Sequence, residues 1–238
     1  MPAVAGGISR DTSMDVTQQS SVNTFTFTWP VAPKKGQLLI LCVAQNGLGG
    51  GGLNYPSGYS YVTGGAFASS ARACTMFYKF ADGSEGTTLT ISSTSGTANQ
   101  FLVIGTAYSG FRSFNSIGDQ SYFTTNNRSS TIQYTDITMF NPTLTTFESL
   151  HLGVMAINAA WGTPTINNNS AFSVTTPLSI TYSTSSMAMT LFESRFKSGP
   201  IAAQAGGGAT FSTSKSSGGG GMCILSQNGT MSGMGIGA

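Results

Sequence analysis

Short segments in which apolar and polar residues alternate recur along the whole chain. The clearest is residues 22–29, where Phe25, Phe27 and Trp29 share one face and threonines share the other, a period of two that indicates a half-buried β-strand. Further candidate strands, each bounded by Gly, Pro, Asn or Ser, are residues 37–45, 59–63, 72–80, 87–92, 100–109, 131–137, 149–158, 171–175, 178–183, 187–196, 209–214 and 222–227. No segment has the helical spacing and capping residues that predict a helix.

The two halves of the chain resemble each other. Residues 36–46 align without a gap with residues 148–158. The alternate positions Leu38, Ile40, Cys42 and Ala44 then match Leu150, Leu152, Val154 and Ala156. Further along, residues 76–80 align with 191–196, and residues 102–110 align with 223–229. The alignment predicts a duplicated unit of about six strands.

These patterns predict an all-β fold, an antiparallel β-sandwich of jelly-roll type built from two sequence-related repeats. The first repeat, with an N-terminal arm, spans residues 1–115, and the second, with a glycine-rich C-terminal tail, spans residues 116–238. Two tandem sandwiches and one interleaved body both remain open, because each apolar layer must be buried against another. One compact sandwich is favoured, since no charged or rigid linker separates the halves.

The composition favours a β protein with an uncharged surface. Charged residues make up 8% of the chain, against roughly 25% in typical globular proteins. The net charge is +2, and the only adjacent basic pair is Lys34 and Lys35, so no basic stripe predicts nucleic-acid binding. The first 19 residues lack a secretory pattern, and the longest apolar run, residues 38–44, is too short for a membrane helix. We therefore expect a soluble protein that is made in the cytoplasm of the cell that produces it and has no membrane partner.

Several segments carry a family resemblance. They are Gly36-Gln37-Leu38-Leu39, Pro56-Ser57-Gly58-Tyr59, Phe77-Tyr78-Lys79-Phe80-Ala81-Asp82-Gly83-Ser84-Glu85 and Ala107-Tyr108-Ser109-Gly110-Phe111. In these segments the chain resembles jelly-roll-type sandwich proteins of phage virions and tail fibres, although Tyr59 stands where that pattern commonly has Trp. The resemblance implies a structural protein of a virion, with other virion proteins as partners.

The residue types that usually carry cofactor chemistry lack their usual context. Residues 47–52 match G-x-G-x-x-G after a predicted strand, but no helix is predicted to follow, so a glycine loop is favoured over a phosphate site. The only histidine, His151, falls within a predicted strand. Cys42, Cys74 and Cys223 each lie in an apolar block, which favours small buried side chains over a zinc site or a disulfide framework. We expect no cofactor and no metal.

Candidate acid and sugar-binding residues are few. Asp82 and Glu85 fall in one predicted turn, and Glu148 begins a predicted strand. This spacing does not predict the pair of carboxylates that a glycosidase needs. Tyr55, Tyr59 and Tyr61 cluster around a proline in a polar, glycine-rich segment. Such rings more often belong to a core or an interface, but exposed ones stack on sugars and other partners.

Together with the resemblance, these observations predict a non-enzymatic virion component that assembles with copies of itself and with other virion proteins. The first hypothesis is a decoration or cement protein that stabilises the phage capsid through subunit contacts. The second is a tail-fibre or head-fibre module that recognises host surface glycan through Tyr55, Tyr59 and Tyr61. The third is a polysaccharide-degrading enzyme acting through Glu85 or Glu148.

Overall fold

The structure is a computed structural model that describes residues 9–46, 53–54, 56–66, 72–94, 100–110, 117–133, 149–157, 165–167, 178–183, 187–196 and 208–225. Within these residues it contains fourteen β-strands and no helix. The strands are β1 Ser9–Ser20, β2 Thr24–Thr28, β3 Leu38–Asn46, β4 Leu53–Asn54, β5 Ser60–Ala66, β6 Arg72–Phe80, β7 Thr88–Ser93, β8 Gln100–Ser109, β9 Ile117–Gln133, β10 Ser149–Ile157, β11 Thr165–Asn167, β12 Leu178–Ser183, β13 Ala188–Phe196 and β14 Gly208–Leu225. The prediction of an all-β, antiparallel fold is confirmed.

The strands form three sheets. A central sheet has the order β1-β8-β3-β6-β5, and a small outer sheet has the order β2-β7-β4. A second-half sheet has the order β11-β14-β10-β13-β12, with β9 also paired to β14. The first half of the chain therefore supplies two of the three sheets.

The central sheet is covered on both faces, and β3 shows this most directly. Every residue from Leu38 to Gln45 is buried. Successive side chains of a strand point to opposite faces, so Leu38 and Ile40 enter one cluster of buried residues while Leu39 and Leu41 enter another. An unbroken apolar run is typical of a strand that is buried on both faces.

The inner core joins the two halves of the chain. On this side of the central sheet, Leu38, Ile40 and Cys42 belong to one cluster with Leu152 and Val154 of the second-half sheet. Two sheets that bury their apolar faces against each other form a sandwich. The sandwich-like arrangement of the described residues thus matches the prediction from the alternating pattern.

The outer core lies between the central sheet and the outer sheet, and a glycine allows the sheets to approach. A Cβ atom at Gly105 of β8 would lie 2.7 Å from Phe27 Cζ, 2.8 Å from Trp29 Cζ3 and 3.0 Å from Val16 Cγ1. Phe27 and Trp29 are both buried in this outer core. The predicted apolar face of Phe25, Phe27 and Trp29 is confirmed, and the missing side chain at Gly105 makes room for the last two rings.

Some strands were not predicted from the sequence. β1 and most of β9 have polar sequences without an apolar period, and short strands β4 and β11 were also missed. The two strands predicted at residues 209–214 and 222–227 are parts of one strand, β14, which continues through Gly218–Gly221. Residues 171–175 and 134–137, which were predicted as strand, lie outside the described residues.

The register of the sheets differs from one part of the sequence alignment. In the central sheet Tyr108 of β8 pairs with Leu38, and in the second-half sheet Ile224 of β14 pairs with Leu150. Tyr108 and Ile224 therefore occupy corresponding positions, whereas the sequence alignment of residues 102–110 with 223–229 is shifted along the strand. Glycines replace the apolar residues in this part of β14, so the sequence offers few side chains to align.

Candidate functional site

The Pro56–Ser57–Gly58–Tyr59 segment forms a tight turn at the start of β5. The backbone N–H of Tyr59 donates a hydrogen bond to Pro56 O at 3.0 Å. Gly58 has a φ of +78°, the left-handed conformation that a type II turn requires at its third position. A Cβ atom at Gly58 would lie 3.2 Å from Lys79 Nζ. The turn and the lysine of β6 are therefore packed together.

A second turn, residues 82–85, brings a carboxylate to the same lysine. Lys79 Nζ lies 3.1 Å from Glu85 Oε1. Glu85 also accepts hydrogen bonds from the backbone N–H groups of Asp82 at 3.0 Å and Gly83 at 2.9 Å. Asp82 in turn accepts from Ser84 N–H at 2.7 Å, the local bonding typical of Asp in turns. The two family-like segments of the sequence thus meet in space where the turn at Gly58 packs against Lys79, and Lys79 is paired with Glu85 of its own segment.

The environment of Glu85 holds it in the charged form. Burial alone would raise the pKa of Glu85, but hydrogen bonds from backbone N–H groups and from Lys79 outweigh burial and lower the pKa below its ordinary value. Only 9% of the Glu85 side chain is exposed. A carboxylate that is ionised and multiply hydrogen-bonded is suited to accept hydrogen bonds, and it is a poor general acid.

A cavity of about 270 Å³ opens beside this ion pair, between the turn at Pro56–Tyr59 and strand β7. Its walls combine aromatic rings, hydroxyl groups and the two charged side chains. The lining residues are Trp29, Ser57, Tyr59, Lys79, Glu85, Gly86, Thr88, Leu89 and Thr90. A concave site with a few convergent polar groups is the usual form of a small-ligand site.

One wall of the cavity is the edge of β7. Trp29 N–H donates to Thr87 O at 2.6 Å, and bonded pairs alternate with non-bonded pairs along an antiparallel ladder. The backbone N–H and C=O groups of Thr88 and Thr90 therefore point away from β2, towards the cavity side of the strand. The short strand β4 pairs with β7 only at Ser92 and Ser93.

The structure places two of the three tyrosines that the sequence nominated, Tyr59 and Tyr61, in different surroundings. Tyr59 lines the cavity and packs partly buried against the outer core; burial raises its pKa, although a hydrogen bond with the Trp29 side chain works in the opposite direction. Tyr61 is 47% exposed on β5 and does not line the cavity. Tyr55 lies outside the described residues.

The sequence did not nominate the other cavity residues for this site. Trp29 was expected in a core, Lys79 was noted only within the family-like segment, and Glu85 was considered as a hydrolase acid. Glu85 is the one carboxylate residue among those that line the cavity, whereas glycosidases usually place two carboxylates across the sugar. The other acid of the enzyme hypothesis, Glu148, lies outside the described residues.

The remaining candidates fall in the sheets or outside the described residues. Cys42 and Cys74 are fully buried free thiols, and burial raises the pKa of Cys74 to about 12; both are the small buried side chains that the sequence predicted. Cys223 and His151 are residues of β14 and β10, paired with each other in the register. The glycine run at residues 47–52 is not described.

Among the residues that the structure describes, no group of three or more His, Cys, Asp or Glu side chains is placed to hold a metal ion. No helix long and apolar enough to cross a bilayer occurs in the same ranges.

A second surface feature is a ladder of hydroxyl side chains on the outer sheet. The outward-facing residues of β2 and β7 pair across the strands as Thr24 with Ser92, Thr26 with Thr90, and Thr28 with Thr88. All five threonines are exposed. We call this surface the hydroxyl ladder.

Comparisons with known proteins identify no relative. The chain matches no family model, no curated protein and no solved structure. The resemblance to phage virion proteins therefore stays a prediction.

Proposed function

We propose that the chain is a structural accessory protein of a phage virion, a decoration or cement subunit that stabilises the capsid through its contacts. The observation that carries the proposal is the hydroxyl ladder on the outer sheet. Its side chains are uncharged, so burying them in a contact avoids the large desolvation cost of charged groups. Hydroxyl groups both donate and accept hydrogen bonds, and are therefore suited to broad contacts with a repeated partner surface.

At its β2 edge, the outer sheet favours contact through its face over addition of a strand. Gln18 Nε2 donates to Thr28 O at 3.0 Å, and Thr28 N–H donates to Gln18 Oε1 at 3.2 Å. The amide of Gln18 thus occupies the backbone groups that another strand would use at this end of β2. Natural sheets protect their edges from unwanted pairing in comparable ways.

We also propose that the central sheet and the second-half sheet are copies of one ancestral unit in a jelly-roll-like body. Their strand orders support this. The central sheet runs β1-β8-β3-β6-β5, and the second-half sheet runs β9-β14-β10-β13-β12 when β9 is taken as the neighbour of β14. If the five strands of each sheet are numbered in chain order, both sheets have the same arrangement: first, fifth, second, fourth, third.

Particle composition tests the structural role. We expect purified virions of the encoding phage to contain this chain in a copy number comparable to that of the major shell protein, measured by quantitative mass spectrometry. We expect Thr26→Lys to lower the copy number several-fold, because the ladder would then bury a charge. Thr26→Ser, which keeps the hydroxyl group, is the matched control. A copy number far below that of the shell protein would contradict the proposal.

The second candidate function is a fibre module that recognises host surface glycan, and the cavity beside Tyr59 favours it specifically. In this case a few copies would lie on fibres or at one vertex. We expect the purified protein to compete with phage for adsorption to host cells in a saturable way. Unchanged adsorption at saturating protein would eliminate this candidate.

A further inference from the structure

We propose that the cavity between the Pro56–Tyr59 turn and β7 is a binding site for one neutral sugar ring. The inference goes beyond the structural role, because the cavity belongs to the single chain. A fibre module that recognises host glycan would need such a site. The site can nevertheless be tested on the purified protein, whether or not the chain occurs in a virion.

The size of the cavity fits one ring of a glycan. Its volume of about 270 Å³ lies just below the range typical of drug-sized ligands. The opening at one side would leave the neighbouring sugar units of a chain outside. Ser57, Thr88 and Thr90 line it, and the backbone N–H and C=O groups of the two threonines point to this side of β7, so a ligand rich in hydroxyl groups meets hydrogen-bonding partners from several directions.

The charges of the site favour a neutral ligand. Lys79 and Glu85 form an ion pair at 3.1 Å, so the charge of each is already compensated. An isolated lysine would favour phosphate or carboxylate ligands, but here Glu85 would repel them. The pair offers an ammonium donor and a carboxylate acceptor side by side. Adjacent hydroxyl groups of a sugar can use both, and hydrogen bonds to charged groups are the stronger ones.

The aromatic residues supply the apolar part of the site. Tyr59 is partly buried, and it lines the cavity together with Trp29. The hydrogen bond between their side chains and the packing of Tyr59 on the outer core hold the ring in place. A fixed aromatic face can cover the C–H groups of a sugar at low cost in conformational entropy.

The competing ligand is an extended peptide that adds a strand to β7. The open part of this edge is short, because β7 begins at Thr88 and β4 pairs with it from Ser92 onward. Only the backbone groups of Thr88 and Thr90 face this side between them. Strand addition draws its affinity from a row of backbone hydrogen bonds. Two open residues provide only a few such bonds, so a sugar is favoured over a peptide as the ligand.

The test is a titration of the isotopically labelled full chain with D-glucose, D-galactose, D-mannose and N-acetyl-D-glucosamine, followed by NMR. We expect at least one sugar to produce saturable shifts of the Trp29 indole and of the Thr88 and Thr90 amides. Lys79→Met and Tyr59→Leu should each weaken binding about tenfold or more, because a charged hydrogen bond or the stacking ring is lost.

Controls separate binding from folding. Thr26→Val lies on the same outer sheet but does not line the cavity, and it should bind as the parent chain does. Thermal unfolding of each variant shows whether it is folded, and Lys79→Met provides a second variant if Tyr59→Leu is unstable. Absence of shifts with all four sugars would overturn the inference. So would equal binding by Lys79→Met, or shifts of these amides produced by an extended peptide while no sugar produces them.

Discussion

Gly105→Ala is expected to destabilise the protein by about 3 kcal/mol, at the upper end of the usual cost of overpacking a core. The new Cβ atom would lie within 3.0 Å of three side chains, those of Val16, Phe27 and Trp29. These are buried or partly buried in the outer core, so the two rings cannot move away without disturbing their own packing. Chemical denaturation followed by Trp29 fluorescence measures the effect, with Trp161 replaced by Phe in every variant.

Gly86→Ala is the matched control for this substitution. A Cβ atom there would meet only the backbone nitrogen of Thr88, at 4.0 Å. We expect a change in the free energy of unfolding within about 0.5 kcal/mol, as is usual for surface sites. In a Phe27→Leu background, where the ring tip is removed, Gly105→Ala should cost less than in the parent chain. Equal costs at Gly105 and Gly86 would show that the outer core does not pack on β8 in this way.

The strands that the sequence predicted well are those in which burial determines residue type. β6 and β12 have the predicted bounds, because turn residues flank short apolar segments. β1 was missed, since only Met14 among its twelve residues is buried and no apolar period marks it. A strand at the edge of a sheet can be almost entirely polar, and its backbone pairing leaves no signature in the sequence.

The outer sheet could not be predicted from the sequence pattern either. The alternating positions of β3 identified one apolar face, and the alignment of the halves matched it with β10. The residues between them, Leu39, Leu41 and Val43, are equally apolar. The outer sheet covers them with Phe27 and its neighbours. A run that is apolar at every position indicates two covered faces, but it does not say which strand covers the second.

Only part of the candidate site could be predicted. Tyr59 was nominated because tyrosines cluster near one proline, a local signal. Trp29, Lys79 and Glu85 come from distant parts of the sequence and meet because β7 pairs with β2 and because residues 82–85 turn back onto β6. Long-range pairing of this kind is not encoded in any local spacing. The composition predicts an uncharged surface, but it does not place hydroxyl groups in a ladder.

Leu152→Ala is expected to lower the free energy of unfolding by about 3 kcal/mol, the usual cost of removing a buried leucine side chain. Leu152 is 1% exposed on β10 and belongs to the same cluster as Leu38, Ile40 and Cys42 of the central sheet. A cavity at this point removes contacts from both halves of the chain. Leu152→Met, which nearly conserves volume, should cost less than about 1.5 kcal/mol.

Leu152→Ala tests the predicted single body, because the substitution lies in the second half of the chain and the fluorescent reporter, Trp29, lies in the first half. In a Trp161→Phe background, Trp29 is the only tryptophan and reports on the outer core of the first half. If both halves unfold as one cooperative unit, Leu152→Ala should shift the Trp29 fluorescence transition and the circular dichroism transition to the same lower denaturant concentration. The inner core requires this coupling, because the central sheet loses its cover on one face when the second-half sheet unfolds. A Trp29 transition that Leu152→Ala leaves unchanged would indicate two independently folding domains.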